Sequence, residues 1–290
     1  MNGKDGIILI NKPKGYTSHD IVSIAKKTLN EEIGHTGTLD PNATGVLPLL
    51  IGKGTKLSKY LINHDKEYVA TIKLGEMTET ADSEGKIIKK EDVSGEVFNE
   101  DLIKYVLKSF IGEQTQIPPM YSAIKLNGKK LYEYARKGIE VEVKPRKIEI
   151  YSITLEKLDK EKLEIIFKVN CSKGTYIRSL CEDIAKKLGT VGYMKELQRT
   201  KAGDFCIEDC VSVKDLKENY EAILNKIISF EKFFSNTEKI NLNNSKLNLF
   251  LNGVKLDVDL IDGIYSIYNN SSFVGIGVVV NKKLKRDIIL

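Results

Sequence analysis

The segment from Gly34 to Gly45 constrains this chain more than any other. It has neither the 3.6-residue period of a helix nor the alternation of a strand, yet apolar elements flank it on both sides. It reads Gly34-His35-Thr36-Gly37-Thr38-Leu39-Asp40-Pro41-Asn42-Ala43-Thr44-Gly45 and runs on into Val46-Leu47-Pro48. Gly34 and Gly37 permit a tight path before Asp40, and Pro41 restrains Asp40 to an extended backbone, which fixes where that carboxylate points. A long loop of this kind needs a rigid scaffold, and loops held on rigid scaffolds are where chemistry concentrates. A positioned carboxylate serves as nucleophile or base; the same Asp-Pro pair also makes an ordinary capping turn.

The flanking sequence supplies such a scaffold. Gly6-Ile7-Ile8-Leu9-Ile10 reads as a buried strand closed by the turn Asn11-Lys12-Pro13-Lys14-Gly15. Thr17 or Ser18 then caps a helix carrying Ile21, Ile24, Ala25 and Leu29. Val46–Ile51 is apolar, Lys53–Ile62 reads as a short helix, and Tyr68–Leu74 is a strand that ends at Gly75. Further helices are predicted from Leu102 to Phe110, Thr175 to Leu188 and Val213 to Ile228, with strands near Ile148–Leu155 and Leu163–Val169. The polar, Asn-rich stretch 236–248 marks a boundary, after which Gly263–Tyr268, Phe273–Val280 and Lys285–Leu290 read as strands of a small β module. A length of 290 residues suits two such units.

Composition removes several classes of function. Four cysteines are too few for a disulfide scaffold, and Cys206-x3-Cys210 has no second pair to complete a zinc site. Three histidines cannot build a His-rich metal centre, and no apolar run approaches a membrane span. Gly52-Lys53-Gly54 lacks the rest of a phosphate loop, and Gly275-Ile276-Gly277 is followed by valines inside a strand. A cytoplasmic protein without ATP, dinucleotide or metal is the expectation. The net charge of +5 is local: residues 125–147 hold eight Lys or Arg against three Glu, and the rest of the chain is balanced. With Tyr121, Tyr132 and Tyr134 close by, this is the composition of a surface that tracks phosphates and stacks bases, or of a solvated hairpin face.

Several strings besides the Asp40 loop carry a resemblance. They are Lys12-Pro13-x-Gly15, Thr78-x-Thr80-x-Asp82-x-x-Gly85, Pro118-Pro119-Met120-Tyr121-Ser122-Ala123-x-Lys125, Leu131-Tyr132-Glu133-x-Ala135-Arg136-x-Gly138 and Ser172-Lys173-Gly174-Thr175-Tyr176-Ile177-Arg178-Ser179-Leu180. In this order the chain resembles the TruB family, the bacterial tRNA pseudouridine-55 synthases. The resemblance implies an α+β fold: a catalytic domain over 1–235, whose mixed and largely antiparallel sheet is flanked by helices, and a small PUA-like RNA-binding module over 236–290. It also implies a basic, RNA-clamping insertion at about 117–147.

The activity so implied is isomerisation of uridine 55 in the T loop of tRNA. The N1–C1′ bond breaks, the base turns, and it rejoins through C5, which calls for no cofactor. Asp40 matches the catalytic aspartate, acting either by covalent addition or by removing a sugar proton. Arg178 matches its pairing arginine, and Tyr68 the residue that stacks on the base and serves proton transfer. Tyr176 and Leu197 match the walls of the uracil pocket, and His35 the residue that holds the extruded nucleotide. Lys12, Lys125 and Arg136 are further substrate contacts by the same resemblance. The implied partner is the T stem-loop of tRNA, bound by a monomer. The other reading is a module that binds and reshapes tRNA without turnover. Asp82, in its Thr-rich turn, reads as part of a structural loop.

Overall fold

A computed structural model describes residues 5–290 other than 63. Ten strands form one sheet, whose main path runs Val211–Ser212, Gly6–Lys12, Thr44–Ile51, Gly192–Ala202, Lys66–Leu74, Glu164–Cys171, Arg146–Asp159, Gly112–Gln116. Ile33–His35 adds to Thr44–Ile51, and Phe205–Cys206 to Gly192–Ala202. Neighbours are antiparallel except at two places, where Gly6–Lys12 meets Val211–Ser212 and Thr44–Ile51 meets Gly192–Ala202. The fold is therefore the mixed, largely antiparallel α+β sheet that the family resemblance implies.

Period-two alternation puts apolar residues on both faces of the first strand. Ile8 and Ile10 pack with the helices Ser18–Leu29, Glu100–Lys108 and Ile177–Lys187 in one core. Ile7 and Leu9 pack in a second core with Leu57, Phe205, Phe230 and Phe234 on the other face. Ile276 and Ile288 join this second core from the C-terminal sheet, so the small module is seated on the large one. Asp287 adds polar contacts to Lys59 and Tyr60 there. The C-terminal sheet has five strands in the order Lys239–Asn241, Gly263–Asn269, Ser272–Val280, Lys283–Ile289, Leu256–Asp257, with its own core about Phe250, Tyr265 and Ile267.

Two elements differ from the sequence expectation. The helix expected over Val213–Ile228 is broken at Asn219 into Val213–Glu218 and Tyr220–Lys226. The second of these ends at Lys226, and Ile228 then pairs with Ile7 by N–H to O bonds of 2.9 and 2.8 Å. The segment Lys53–Ile62 is a 3-10 turn, Gly52–Leu57, followed by one α-turn, Ser58–Leu61. Elsewhere the local signals act where they stand. Thr17 caps the first helix, its hydroxyl accepting from the Asp20 N–H at 3.1 Å while the Asp20 carboxylate accepts from the Thr17 N–H at 2.7 Å.

Candidate active site

The loop 36–43 has no ladder of its own, so its backbone is held from outside. Ser18, buried at the start of the first helix, accepts from the Leu39 N–H at 2.9 Å and donates to the Leu39 carbonyl at 3.1 Å. The Pro41 carbonyl accepts from the Gly15 N–H at 2.9 Å and from Lys12 Nζ at 3.1 Å. Asp40 is thus clamped on both sides by the strand, turn and helix that precede the loop, while its carboxylate remains 36% exposed.

Arg178, in the first turn of Ile177–Lys187, meets that carboxylate. Its Nη2 lies 3.1 Å from Asp40 Oδ2 and 3.3 Å from Oδ1, and it donates to the Tyr121 carbonyl at 2.9 Å. Its Nη1 lies 3.5 Å from Asp82 Oδ2 and 3.4 Å from the Thr80 carbonyl. Arg178 and Asp82 are both buried, so the guanidinium is shared between an enclosed carboxylate and an open one. Desolvation pushes the Asp40 carboxyl above the usual carboxylate range; Arg178 opposes this, Asp82 adds to it, and Lys12 opposes it. The result is an oriented carboxylate, more basic than an ordinary one.

Asp40 opens onto a cavity of about 740 Å³, within the roughly 300–1,000 Å³ usual for small-molecule pockets. Tyr68, Tyr176, Arg178, Leu197 and Arg199 line it, with Tyr132, Arg146 and Lys147 among its other walls. Tyr68 is buried on Lys66–Leu74, and burial drives its hydroxyl upward in pKa against the opposing charge of Arg199. Leu197 is buried on Gly192–Ala202, opposite Ala70. Tyr176 is held by a two-way amide contact: Gln116 accepts from its N–H at 2.8 Å and donates to its carbonyl at 3.0 Å.

The structure therefore brings Asp40, Tyr68, Tyr176, Arg178 and Leu197 together and leaves four expected residues outside the cavity wall. Lys12 has a different place from the substrate contact expected of it. Its side chain is fully buried, and Nζ donates to the carbonyls of Tyr16 (2.6 Å), Pro13 (3.1 Å) and Pro41 (3.1 Å), so all its donors serve the Asp40 loop and the turn before it. His35 sits on the strand Ile33–His35 opposite Leu49, its Nδ1 enclosed and without a hydrogen-bond partner. Burial lowers its pKa. Lys125 and Arg136 are exposed on the basic insertion, a hairpin of Lys125–Leu126 with Lys129–Lys130 followed by the helix Leu131–Ala135. Arg136 and Lys130 each stand 5.3 Å from the ring centre of Tyr132, which reaches the cavity.

Three residues at the site were not singled out from sequence: Asp82 as a partner of Arg178, Gln116, and Arg199. Only Asp82 had a local signal. Its turn is indeed structural, with Thr80 Oγ1 donating to Oδ1 at 2.5 Å and the Glu84 N–H at 3.0 Å, yet the other oxygen faces Arg178. Among the described residues, no group of three His, Cys, Asp or Glu side chains comes together as a metal site, and no helix is long and apolar enough to cross a membrane.

Comparison with known proteins gives the family. Residues 26–177 match the family model for the N-terminal domain of TruB family pseudouridylate synthases. Residues 178–231 match the model for the tRNA pseudouridylate synthase B C-terminal domain. The chain is 48% identical over 280 residues to the tRNA pseudouridine synthase B of Clostridium tetani, covering 94% of this chain and 95% of the relative. It is 44% identical to that of Alkaliphilus oremlandii, over 96% and 94% of the two chains. Among solved structures, an H/ACA RNP bound to a substrate RNA containing 2'-deoxyuridine superposes with a TM-score of 0.72 at 26% identity, over 99% of this chain and 86% of that one. A Cbf5-Nop10-Gar1 complex gives 0.71 at 28%, over 99% and 84%. The family models and the relatives together make this chain a pseudouridylate synthase, an isomerase. Within that class, the chain belongs to the TruB family.

Proposed function

We propose that this protein converts uridine 55 in the T loop of tRNA to pseudouridine, acting in the cytoplasm as a monomer, with Asp40 as its catalytic carboxylate. The observation that carries the reading is the Asp40–Arg178 pair at the cavity: an accessible, unusually basic carboxylate, aimed by a buried guanidinium at a space shared with Tyr68, Tyr176 and Leu197. The names of the relatives, tRNA pseudouridine synthase B, supply the substrate class. Bond cleavage and rejoining conserve every atom of the nucleotide, so a base, a proton carrier and a pocket in which the uracil can turn suffice. Tyr68 stacks on the base and carries the proton, and Tyr176 and Leu197 wall the ring.

A stacked, paired uridine must first be everted, at about a few kcal/mol. The exposed lysines and arginines of 125–147 offset this by holding the T-arm phosphates, and Tyr132, Arg146 and Lys147 connect that surface to the cavity. The test is to incubate an unmodified tRNA transcript with the protein and map pseudouridine. The wild type should modify position 55 alone. Asp40→Asn should form no product while binding tRNA within about threefold of wild type, since a lost general base or nucleophile costs about 10²–10⁴ or more in rate. Product from Asp40→Asn would refute the role of this residue, and binding without turnover by the wild type would leave a tRNA-reshaping module.

A further inference from the structure

Among the described residues, the basic side chains that are buried are Lys12, Arg178 and Arg199. Lys12 holds the Pro41 carbonyl and Arg178 holds the Asp40 carboxylate. Arg199 is the largest fully buried side chain, and no ion pair with a carboxylate is found for it among the described residues. Enclosing an unpaired guanidinium is expensive unless fixed dipoles take its donors, and the acceptors it has chosen are informative. Nε donates to the Val46 carbonyl at 2.7 Å, and Nη2 to the Gly37 carbonyl at 2.8 Å, within the catalytic loop.

Backbone geometry fits the guanidinium to this place. Gly37 has φ +73°, and a β-carbon there would stand 3.1 Å from Arg199 Nη1, so the absence of a side chain lets the guanidinium lie against the loop. On one side Arg199 is the cross-strand partner of Tyr68, and on the other of Gly45, at the seam where Thr44–Ile51 meets Gly192–Ala202. A register shift follows it at once, between Arg199 and Lys201. Antiparallel partners present their side chains to the same face of the sheet, and both Arg199 and Tyr68 line the cavity. The guanidinium charge also acts on the Tyr68 phenol, opposing the rise in its pKa that burial causes. A guanidinium only donates, so a phenol oxygen turned toward it meets it as an acceptor and leaves its own proton to point elsewhere.

We propose that Arg199 is a positioning residue of this site: it locks the Asp40 loop through the Gly37 carbonyl and, as the donor that faces Tyr68 from the adjoining strand, turns the Tyr68 proton toward the bound nucleotide. This rests on the reading that the cavity forms pseudouridine with Asp40 and Tyr68. A lysine at 199 keeps the charge but loses the planar fork that reaches the loop and the strand at once.

The test is a double-mutant cycle on single-turnover pseudouridine formation at saturating tRNA, using wild type, Arg199→Lys, Tyr68→Phe and the double variant, with Kd for tRNA measured in parallel. Arg199→Lys should slow turnover about a hundredfold while Kd stays within about threefold. In the Tyr68→Phe background it should cost at least about fivefold less than that, because the group it orients is already gone. Thermal unfolding of each variant establishes that the compared chains are folded; if Arg199→Lys is not, Arg199→Gln takes its place. Multiplicative effects, or a loss confined to Kd, would overturn the assignment. Absence of product from the wild type would instead overturn the functional reading, which separates the two failures.

Discussion

Replacing Lys12 by methionine gives a prediction whose sign and size follow from where the ammonium sits. Burial pushes the Lys12 pKa from 10.5 down to about 8, against the opposing attraction of Asp40. Between about pH 8 and 10.5 the unfolded chain still holds a proton that the folded protein has released. Stability therefore rises with pH across that window, and the full penalty of the buried charge is present below it. The gap corresponds to about 3 kcal/mol. Lys12→Met has no such group, so urea unfolding of both proteins should show the wild type gaining about 3 kcal/mol on the variant as pH rises through the window. At neutral pH the variant also leaves the carbonyls of Pro13, Tyr16 and Pro41 without the ammonium, at about 1–3 kcal/mol for each that finds no other donor. Because Lys12 holds the Asp40 pKa down, the acid limb of the rate profile should move to higher pH in the variant. A stability difference that stays flat or falls with pH would refute the reasoning.

Asp82→Asn removes a negative neighbour that raises the Asp40 pKa, so the acid limb of turnover should move to lower pH with tRNA affinity within about threefold; a shift the other way would mean that Arg178 no longer faces Asp40. Neutralising Lys125, Lys129, Lys130 and Arg136 together should flatten the dependence of log K on log salt by about 0.7–0.9 for each phosphate that these side chains neutralise, and an unchanged slope in tRNA binding would place the patch away from RNA. Burial drives the Cys171 thiol to about 11, Cys210 to about 12 and Cys181 well above its usual value. Alkylation of the folded protein at pH 8, followed by peptide mass mapping, should therefore label Cys206 first, and rapid labelling of Cys181 would contradict its burial.

Much of this architecture was legible from local pattern. The run Ile7–Ile10 announces a strand buried on both faces, and the two cores that share it bear this out. Thr17 is the cap, and the aperiodic segment is a loop, trimmed at its ends because Ile33–His35 and Thr44–Ile51 recruit its flanks into the sheet. What local pattern missed is what only pairing creates. The pairing of Ile228 with Ile7, just past the end of the helix at Lys226, joins residues far apart in the chain. Gln116 pins Tyr176 from 60 residues away. Lys12 carries a charge that sequence assigns to the outside, yet three carbonyls turn it inward. Two of those acceptors, Pro13 and Tyr16, are its near neighbours in the chain, but Pro41 lies outside any local window.

The buried cations and the aperiodic loop have one physical cause. A segment outside any ladder leaves its carbonyls to be satisfied by side chains or water, and beside a cavity that must exclude water, side chains are the durable choice. Lys12 reaches Pro41 from the first strand, and Arg199 reaches Gly37 from the strand Gly192–Ala202. Arg178 reaches the Asp40 carboxylate itself from a helix. Three separate elements thus fix three points of the loop, and Asp40 lies between the two carbonyl anchors. Cations are well suited to this place for a second reason: each strengthens a hydrogen bond to a neutral carbonyl, and Lys12 and Arg178 also favour the ionised form of Asp40 against the cost of its burial. Two of the donors that give the loop its shape thus also oppose the protonation of its carboxylate.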